Sequence, residues 1–531
     1  MKQIITALLM SFLVTFCRCG NSNEITPVLP QIEASKITNN NGKTYLEVNG
    51  VPFPILGAQI RLDGLMNCDQ YPVEKIEDYF AKAKELGLNC VQIPIWWNLI
   101  EPKKDAFAFE VVDKVLGYAL TYGLKIELLW FSTNMCGDSF TYLTPLYIMS
   151  EPNKKLRREN EGSFWGYYGY IYSLILNDPW ILERECNAVT QLFNHIRQWD
   201  MEHGNTMPVI TAQIHNEPDG FNRWRIDQYN IKAKDGSPLS KDDAWKMILD
   251  AVDQVGRAVQ ASSYKVATRV NVTLINGTNG FQEHRAAKPL DVFNLKGIDF
   301  VSFDPYVPSI TELKPEILLY KAMQGNYPLI AENKGVYLNT PSLILASVAL
   351  GSGYDIYDLA TSKYFMDNTS IPNEIDHGVY TWDLKEKPHT PAIRKILTGL
   401  VAAAPVAAQT KTENFMAFNV QSDYPAEKII QTIKTEYVTI AFSTQEKAIG
   451  FAIDDGNAVY IYVTENAEIE LDNATFNRVE TGAFDTAGHF IPVSNHSLSA
   501  KSLTPEPGIL YKVSYTNAVL QASNTISFIG K

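Results

Sequence analysis

The run from Val209 to Gly220, VITAQIHNEPDG, opens as a mostly apolar strand and ends by delivering a carboxylate, Glu217, in a His-Asn-Glu-Pro turn. A second run, YPLIAENKG from Tyr327 to Gly335, repeats the design and ends in Glu332. The two glutamates are 115 residues apart, so whether they meet depends on the pattern between and around them.

That pattern is a repeat. From about residue 54 to 400, short apolar runs alternate with longer segments of helical period, as βα units do. FPILGAQIRL precedes VEKIEDYFAKAKELG, NCVQIPIWW precedes FEVVDKVLGYALTYG, and LKIELLWF leads through a long loop to ERECNAVTQLFNHIRQWDMEHG. VITAQIHNEP precedes DDAWKMILDAVDQVGRAVQAS, KVATRVNVT precedes a poorly defined link, and GIDFVSFDPY precedes KPEILLYKAMQG. YPLIAENKG precedes SLILASVALG, and GYDIYDL leads to TPAIRKILTGLVAAA. Gly87, Gly123, Gly204 and Gly325 stand where helix C-termini favour glycine. Eight units without a Gly-rich phosphate loop after the first strand predict an α/β chain folded as a closed (β/α)8 TIM barrel rather than an open doubly wound sheet. In such a barrel the residues just past the strand ends line the functional face. Glu217 then ends the fourth strand and Glu332 the seventh, on one mouth.

From about residue 410 the chain changes to short alternating strands such as YVTIAFST, AIGFAID and AVYIYVT, with turns rich in Asn, Asp and Gly, which predicts a C-terminal β-sandwich domain. Tyr460 and Tyr462 alternate with Val459, Ile461 and Val463, as in ordinary sheet packing. GKTYLEVNGVPF, residues 42–53, reads as a hairpin turning at Asn49-Gly50, packed on the barrel at the entry to its first strand or on the sandwich. The chain divides into residues 1–19, an N-terminal extension at 20–53, a barrel at 54–405 and a sandwich at 406–531.

Residues 1–19 combine Lys2, an apolar run and small residues after it, the layout of a secretory signal, and either Cys17 or Cys19 is placed to carry lipid. The expectation is an exported protein, periplasmic, on an outer membrane or secreted, touching membrane only through such an anchor. Removing residues 1–19 takes away Lys2 and Arg18 and moves the formal charge from −13 to −15. An acidic surface with no basic tract argues against nucleic acid as a partner. The remaining cysteines, Cys68, Cys90, Cys136 and Cys186, show no metal-ligand spacing. Cys90 and Cys186 read as buried free thiols, whereas Cys68 and Cys136 fall in loops where a disulfide is an option. No metal and no cofactor is expected; the partner is an oligosaccharide or polysaccharide, and a homo-oligomer is an option.

Two carboxylates on one barrel mouth are what retaining glycoside hydrolysis needs, one as nucleophile and one as acid and then base, about 5 to 5.5 Å apart. The alternative is a loop carboxylate at Glu217 and an ion pair with Lys334 at Glu332. The stretch NCVQIPIWWNLIEPKKDAFAFEVVDKVLGYALTYGLKIELLW resembles the second and third barrel units of glycoside hydrolase families 35 and 42, with their W-x-x-x-E-P-x-x-x-x-F-x-F pattern, and AQIHNEPDG resembles their Q-(I/V)-x-N-E segment. The resemblance covers roughly residues 54 to 360 and extends to the clan A (β/α)8 glycosidases; Pro218 stands where the galactosidases usually have Tyr. It implies Glu217 as acid/base, Glu332 as nucleophile, Asn216 on the sugar 2-hydroxyl and Tyr306 as the tyrosine that holds the nucleophile. The other reading of Tyr306 is rim packing.

Further candidates follow from position. Arg61, past the first strand, binds substrate or the nucleophile, or pairs with Asp63. Trp96 and Trp97 end the second strand, where Trp97 could face the pocket or the core; Glu101 reads as a rim or structural residue. Trp130, Asn134 and Asp138 follow the third strand and could floor a sugar site, and Trp382 after the eighth could stack on a pyranose. His215 reads as a packing residue. The segment from Ser132 to Trp180, with FWGYYGYIY at its centre, is long enough to be a lid or a binding loop. A lid implies a pocket and exo action; an open groove implies endo action. The expected activity is that of a β-galactosidase-like exo-enzyme. Its rivals are a β-mannosidase, β-glucosidase or endo-glycanase, a β-glucuronidase using Arg61 or Arg223, and a carbohydrate-binding protein without turnover.

Overall fold

The computed structural model describes residues 29–40, 42–273, 288–363, 376–419, 429–472, 474–485 and 487–517. The apolar N-terminal run with Cys17 and Cys19 lies outside them, as does most of the link after the fifth unit.

Eight strands pair in parallel in chain order: β1 (Leu56–Ala58), β2 (Cys90–Trp96), β3 (Lys125–Met135), β4 (Val209–Asn216), β5 (Ala267–Val272), β6 (Phe300–Phe303), β7 (Leu329–Lys334) and β8 (Gly353–Tyr357). β8 pairs back onto β1, and a parallel bridge between Gln59 and Gln92 closes β1 on β2, so the sheet is a barrel without edges. Around it run α1 (Glu77–Leu86), α2 (Glu110–Tyr122), α3 (Pro179–Glu202), α4 (Lys241–Ala261), α5 (Pro289–Phe293), α6 (Ile310–Lys321), α7 (Thr340–Ala349) and α8 (Thr390–Ala402). The helices form where the sequence carries an apolar stripe and a start signal. α4, for example, opens on Ser240, whose hydroxyl accepts from the Asp243 amide, and buries Ile248, Ala251, Val252, Val255 and Val259 against the barrel. Gly87 and Gly123 close α1 and α2 in the left-handed conformation.

The barrel interior is polar below its mouth. Arg269 on β5 donates to Gln213 at 2.6 Å and Ser302 at 3.0 Å and lies 3.6 Å from Glu127, all fully buried. An arginine so enclosed holds a fixed positive charge under the functional face. At the opposite end a small sheet of Ser35–Asn40, Lys43–Val48 and Val51–Phe53 plugs the barrel, with Asn49-Gly50 at the hairpin turn. Its Leu46 and Val48 join Ile55, Ile210, Ala267, Phe300 and Leu329 in one cluster, and the Ser35 hydroxyl donates to Ile210 O and accepts from the Ala267 amide. The hairpin therefore seals the strand starts and leaves the strand ends for chemistry.

The C-terminal region is a sandwich of a six-stranded and a four-stranded antiparallel sheet. Its strand Ala458–Val463 is buried on both faces: Val459, Ile461 and Val463 point into the sandwich, whereas Tyr460 and Tyr462 join the barrel core. The Tyr462 hydroxyl donates to Lys395 O on α8 at 2.6 Å, and a side chain at Gly399 would overlap the Tyr462 ring. The sandwich is thus docked on α8 through this strand. Cys68, Cys90, Cys136 and Cys186 are free thiols; the optional Cys68–Cys136 disulfide is absent because the Cys136 sulfur is turned into the barrel mouth, and Cys186 is half-buried rather than fully buried.

Candidate active site

The strand ends bring six barrel segments to one cavity of about 390 Å³. Gln59 and Arg61 come from the end of β1, Cys136 from β3, Asn216 and Glu217 from β4, Tyr306 from the β6 loop, Glu332 from β7 and Tyr357 from β8. The backbone there is unusual. Cys136, His215, Glu217 and Tyr306, none of them glycine, all sit at positive φ, between 43 and 62°. Such conformations cost about 1–3 kcal/mol each and persist where surrounding contacts impose them, as they do at functional sites. One such contact is the meeting of the β3 and β4 loops. Gly137, at φ +88°, lies against the backbone of Gly220 and Phe221, and a Cβ on it would come within 2.3 Å of the Phe221 nitrogen. That approach sets the Cys136 sulfur 3.0 Å from the Glu217 carboxylate, to which the thiol donates.

One oxygen each of Glu217, Glu332 and a third acid, Asp304, lie within 4.8 Å of one another. Glu217 is half-buried and faces the cavity; its amide donates to Asn271 at 3.0 Å. Burial, reinforced by the Glu332 carboxylate, pushes its carboxyl up to about 8. Glu332 is buried, and there too burial raises the carboxyl, but four groups work against it: the Tyr306 hydroxyl that donates to it, the Arg61 and Arg269 guanidiniums, and the Gln59 amide at 3.4 Å. The two glutamates therefore differ in their support: both lie beside acids, but Glu332 also has the Tyr306 and Gln59 donors and two guanidiniums acting on it. The Cys136 thiol, pushed up by burial and by Glu217, stays a neutral donor. Asn216 is fixed by Gln213 and Asn271, both donating to its carbonyl oxygen, while its amide nitrogen lies 3.4 Å from Cys136 Sγ.

The long segment after β3 is folded over the cavity. Ser139–Phe140, Ser163–Phe164 and Tyr170–Tyr172 form a small antiparallel sheet, from which Phe140, Trp165, Tyr168 and Ile171 wall the cavity. Trp165 and Tyr168 stack at 5.4 Å. Arg61 anchors this lid: it donates to Tyr167 at 2.7 Å, Tyr168 at 2.8 Å and Tyr357 at 2.6 Å, and pairs with Asp63 at 3.1 Å. Both readings of Arg61 meet here, since the residue that pairs with Asp63 also lines the cavity. The far wall is Trp224, Arg225 and Tyr229 from the β4 loop, with Arg225 paired to Asp138 at 2.7 Å.

Several sequence candidates lie elsewhere. Trp97 and Trp130 are fully buried with their indoles donating to Glu101 and Glu185, so they brace the barrel instead of facing the cavity. Asn134 is buried and its carbonyl caps the Gly137 amide. Trp382 stands 39% exposed beside Lys363 and does not line the cavity. Arg223 is held by Asp219 and Thr273, and it is Arg225 that reaches the cavity. Glu101 ties the β2 loop to Arg184 of α3 and to Tyr147, and His215 is buried 2.9 Å from Glu185 as a packing residue. Asp304, Cys136 and Asn271 were missed. Asp304 carried one usable signal, its place directly after β6 in SFDPY; Cys136 carried none. Two triads of buried groups among the described residues, Glu217–Asp304–Glu332 and Cys90–Glu127–Asp355, are close enough to hold a cation, which the linear spacing did not suggest.

A (β/α)8 barrel with a glutamate after β4 facing a hydroxyl-held glutamate on β7 has the architecture of the clan A glycosidases. Residues 66–223 match the family model described as Beta-galactosidase, glycoside hydrolase family 42, so the likeness read from the W-x-x-x-E-P stretch holds over the first half of the barrel. Two further models, each described as a domain of unknown function, match residues 2–64 and 247–425. Beta-galactosidase-1-like protein 3 of Homo sapiens is 25% identical over 196 residues, 35% of this chain and 25% of that protein. A beta-galactosidase of Xanthomonas manihotis is 24% identical over 159 residues, 29% of this chain and 23% of that protein. The chain thus spans about a quarter of the length of these relatives. Among solved structures, the beta-galactosidase from the psychrophilic Marinomonas ef1 superposes with a TM-score of 0.47 at 12% identity, over 67% of this chain and 62% of that one.

Proposed function

We propose that this chain is a retaining β-glycosidase, β-galactosidase-like and exo-acting, with Glu332 as nucleophile and Glu217 as acid/base. The observation that carries the reading is the approach of the two carboxylates to within 4.8 Å across the barrel mouth. Retaining enzymes hold their carboxyl groups about 5–5.5 Å apart, whereas inverting ones leave roughly 6.5–9.5 Å for a water. Glu332 attacks the anomeric carbon while the Glu217 proton passes to the departing glycosidic oxygen, leaving a glycosyl ester on Glu332 and an ionised Glu217. Water then gives its proton to Glu217 as its oxygen displaces Glu332 from the same carbon, restoring both groups. Asn216, which lines the same cavity, is assigned to the sugar 2-hydroxyl. The anchored aromatic lid supports a pocket for a terminal sugar over an open groove, and the apolar N-terminal run supports export.

The test is turnover of a panel of aryl β-glycosides (galactoside, glucoside, mannoside, glucuronide, xyloside) beside Glu332→Gln. Cleavage of one sugar, with the variant at least about three orders of magnitude slower, or roughly 4 kcal/mol of barrier, supports the reading. Turnover that survives Glu332→Gln removes the nucleophile assignment. Retained sugar binding with no turnover by either protein would favour a carbohydrate-binding role.

A further inference from the structure

Asp304 has no part in a two-carboxylate mechanism, yet it sits in the middle of it. It directly follows β6, is 3% exposed, and has an oxygen within 4.8 Å of one oxygen each of Glu217 and Glu332. Its Oδ2 accepts from the Asn271 amide at 2.8 Å, while its Oδ1 is buried and receives no donor among the described residues. An ionised carboxylate is acceptor-only, and a buried acceptor without a donor is costly. Two carboxyl groups that face each other in a closed site satisfy both by holding a proton between them.

Resting on the glycosidase reading above, we infer that Asp304 and Glu217 share one proton, and that Asp304 is the positioning residue that keeps it at the mouth until the leaving group takes it. The groups facing Asp304 fit this. Glu217 from β4 and Glu332 from β7 are acids that resist its ionisation, and the Tyr306 and Tyr320 hydroxyls bring no charge. Asn271 of β5 donates one hydrogen bond, and Arg269 of β5, engaged with Gln213, Ser302 and Glu127, is a cation acting on it from below. Burial and the two neighbouring acids together hold the Asp304 carboxyl well above the ordinary carboxylate range. In the first step the proton leaves the Asp304–Glu217 pair for the glycosidic oxygen. In the second step one water proton returns to the pair as the water oxygen bonds to the anomeric carbon. No other reactant is needed.

The consequence is a pH dependence that belongs to the pair. While two facing acids compete, the last proton is held to higher pH than a lone Glu217 would hold it; an amide at position 304 donates to ionised Glu217 and releases that proton earlier. For Asp304→Asn, the ratio of kcat/KM at about pH 8 to that at about pH 6 is expected to fall about tenfold or more relative to the wild type. A merely structural role would lower activity evenly across pH, and that result, or an unshifted basic limb, overturns the inference. Infrared titration of the unsubstituted protein reads the same proton without turnover. A protonated carboxyl band at neutral pH that is lost or displaced in both Asp304→Asn and Glu217→Gln is expected; its absence overturns the inference even if Asp304→Asn fails to fold. Activity abolished by EDTA and restored by a divalent cation would place a metal, not a proton, among the three acids and would also overturn it. If no aryl glycoside is cleaved by the wild type, the glycosidase reading fails, while the infrared titration still decides the shared proton.

Discussion

Tyr306→Phe isolates one hydrogen bond at Glu332, the proposed nucleophile. The Tyr306 hydroxyl donates to Glu332 Oε2, and the ring is held edge-on against Tyr357 at 5.8 Å, so phenylalanine keeps the packing and loses only the donor. What remains is a buried carboxylate supported by Gln59 at 3.4 Å and by the charges of Arg61 and Arg269. A hydrogen bond to a charged group contributes about 1.5–3 kcal/mol, and here it favours the ionised form that the proposed mechanism requires. The expected loss in kcat/KM is therefore roughly 10- to 150-fold. The sign of the pH effect follows. Removing a donor to the carboxylate raises the pH at which Glu332 ionises, so the acidic limb moves to higher pH and the loss is larger at acid than at neutral pH. The assay is the pH profile of kcat/KM on the best aryl glycoside, with thermal unfolding to verify the fold. A loss below about threefold with an unmoved acidic limb would refute the account of how Glu332 is kept ionised.

Arg61→Met removes the charge and the hydrogen bonds that tie Tyr167, Tyr168 and Tyr357 together. KM is expected to rise at least about tenfold, with the segment between Ser139 and Tyr172 becoming sensitive to limited proteolysis; an unchanged cleavage pattern would show that the lid holds without its anchor. Glu217 also links stability to pH. Its carboxyl rises from an ordinary 4.5 to about 8 in the fold, so the stability that its protonation contributes is complete below about pH 4.5 and is lost as pH rises to about 8. Glu217→Gln removes the Glu217 share of that dependence, and the difference in Tm between wild type and variant is expected to shift against the wild type across this window; a difference that stays constant from pH 4.5 to 8 counts against the raised carboxyl.

Much of this protein is legible in the linear chain because its barrel is built from local signals. Alternating apolar runs and segments of helical period, with Gly87 and Gly123 at helix ends, mark the βα units from local sequence. Counting eight such units closes the barrel, and closure alone brings Glu217 and Glu332 to one mouth although 115 residues separate them. Tyr306, placed after β6 and singled out by the family resemblance, does donate to Glu332.

Side-chain direction was not legible, because it depends on backbone angles and on contacts between units. Trp97 follows β2 and Trp130 lies within β3, and both turn to buried glutamates, where an indole N–H finds an acceptor. Cys136 reaches Glu217 only because Gly137 and Gly220 let two loops touch, a coincidence of positions 83 residues apart. Arg61 gained its lid partners, and Asp304 its place beside two other acids, in the same way. The sequence by itself determined the barrel, the sandwich and the pair of glutamates, since each rests on periodicity and strand count. Only the tertiary structure decided the third acid, the anchored lid and which aromatic residues face the cavity, since those depend on distances between units that no local pattern encodes.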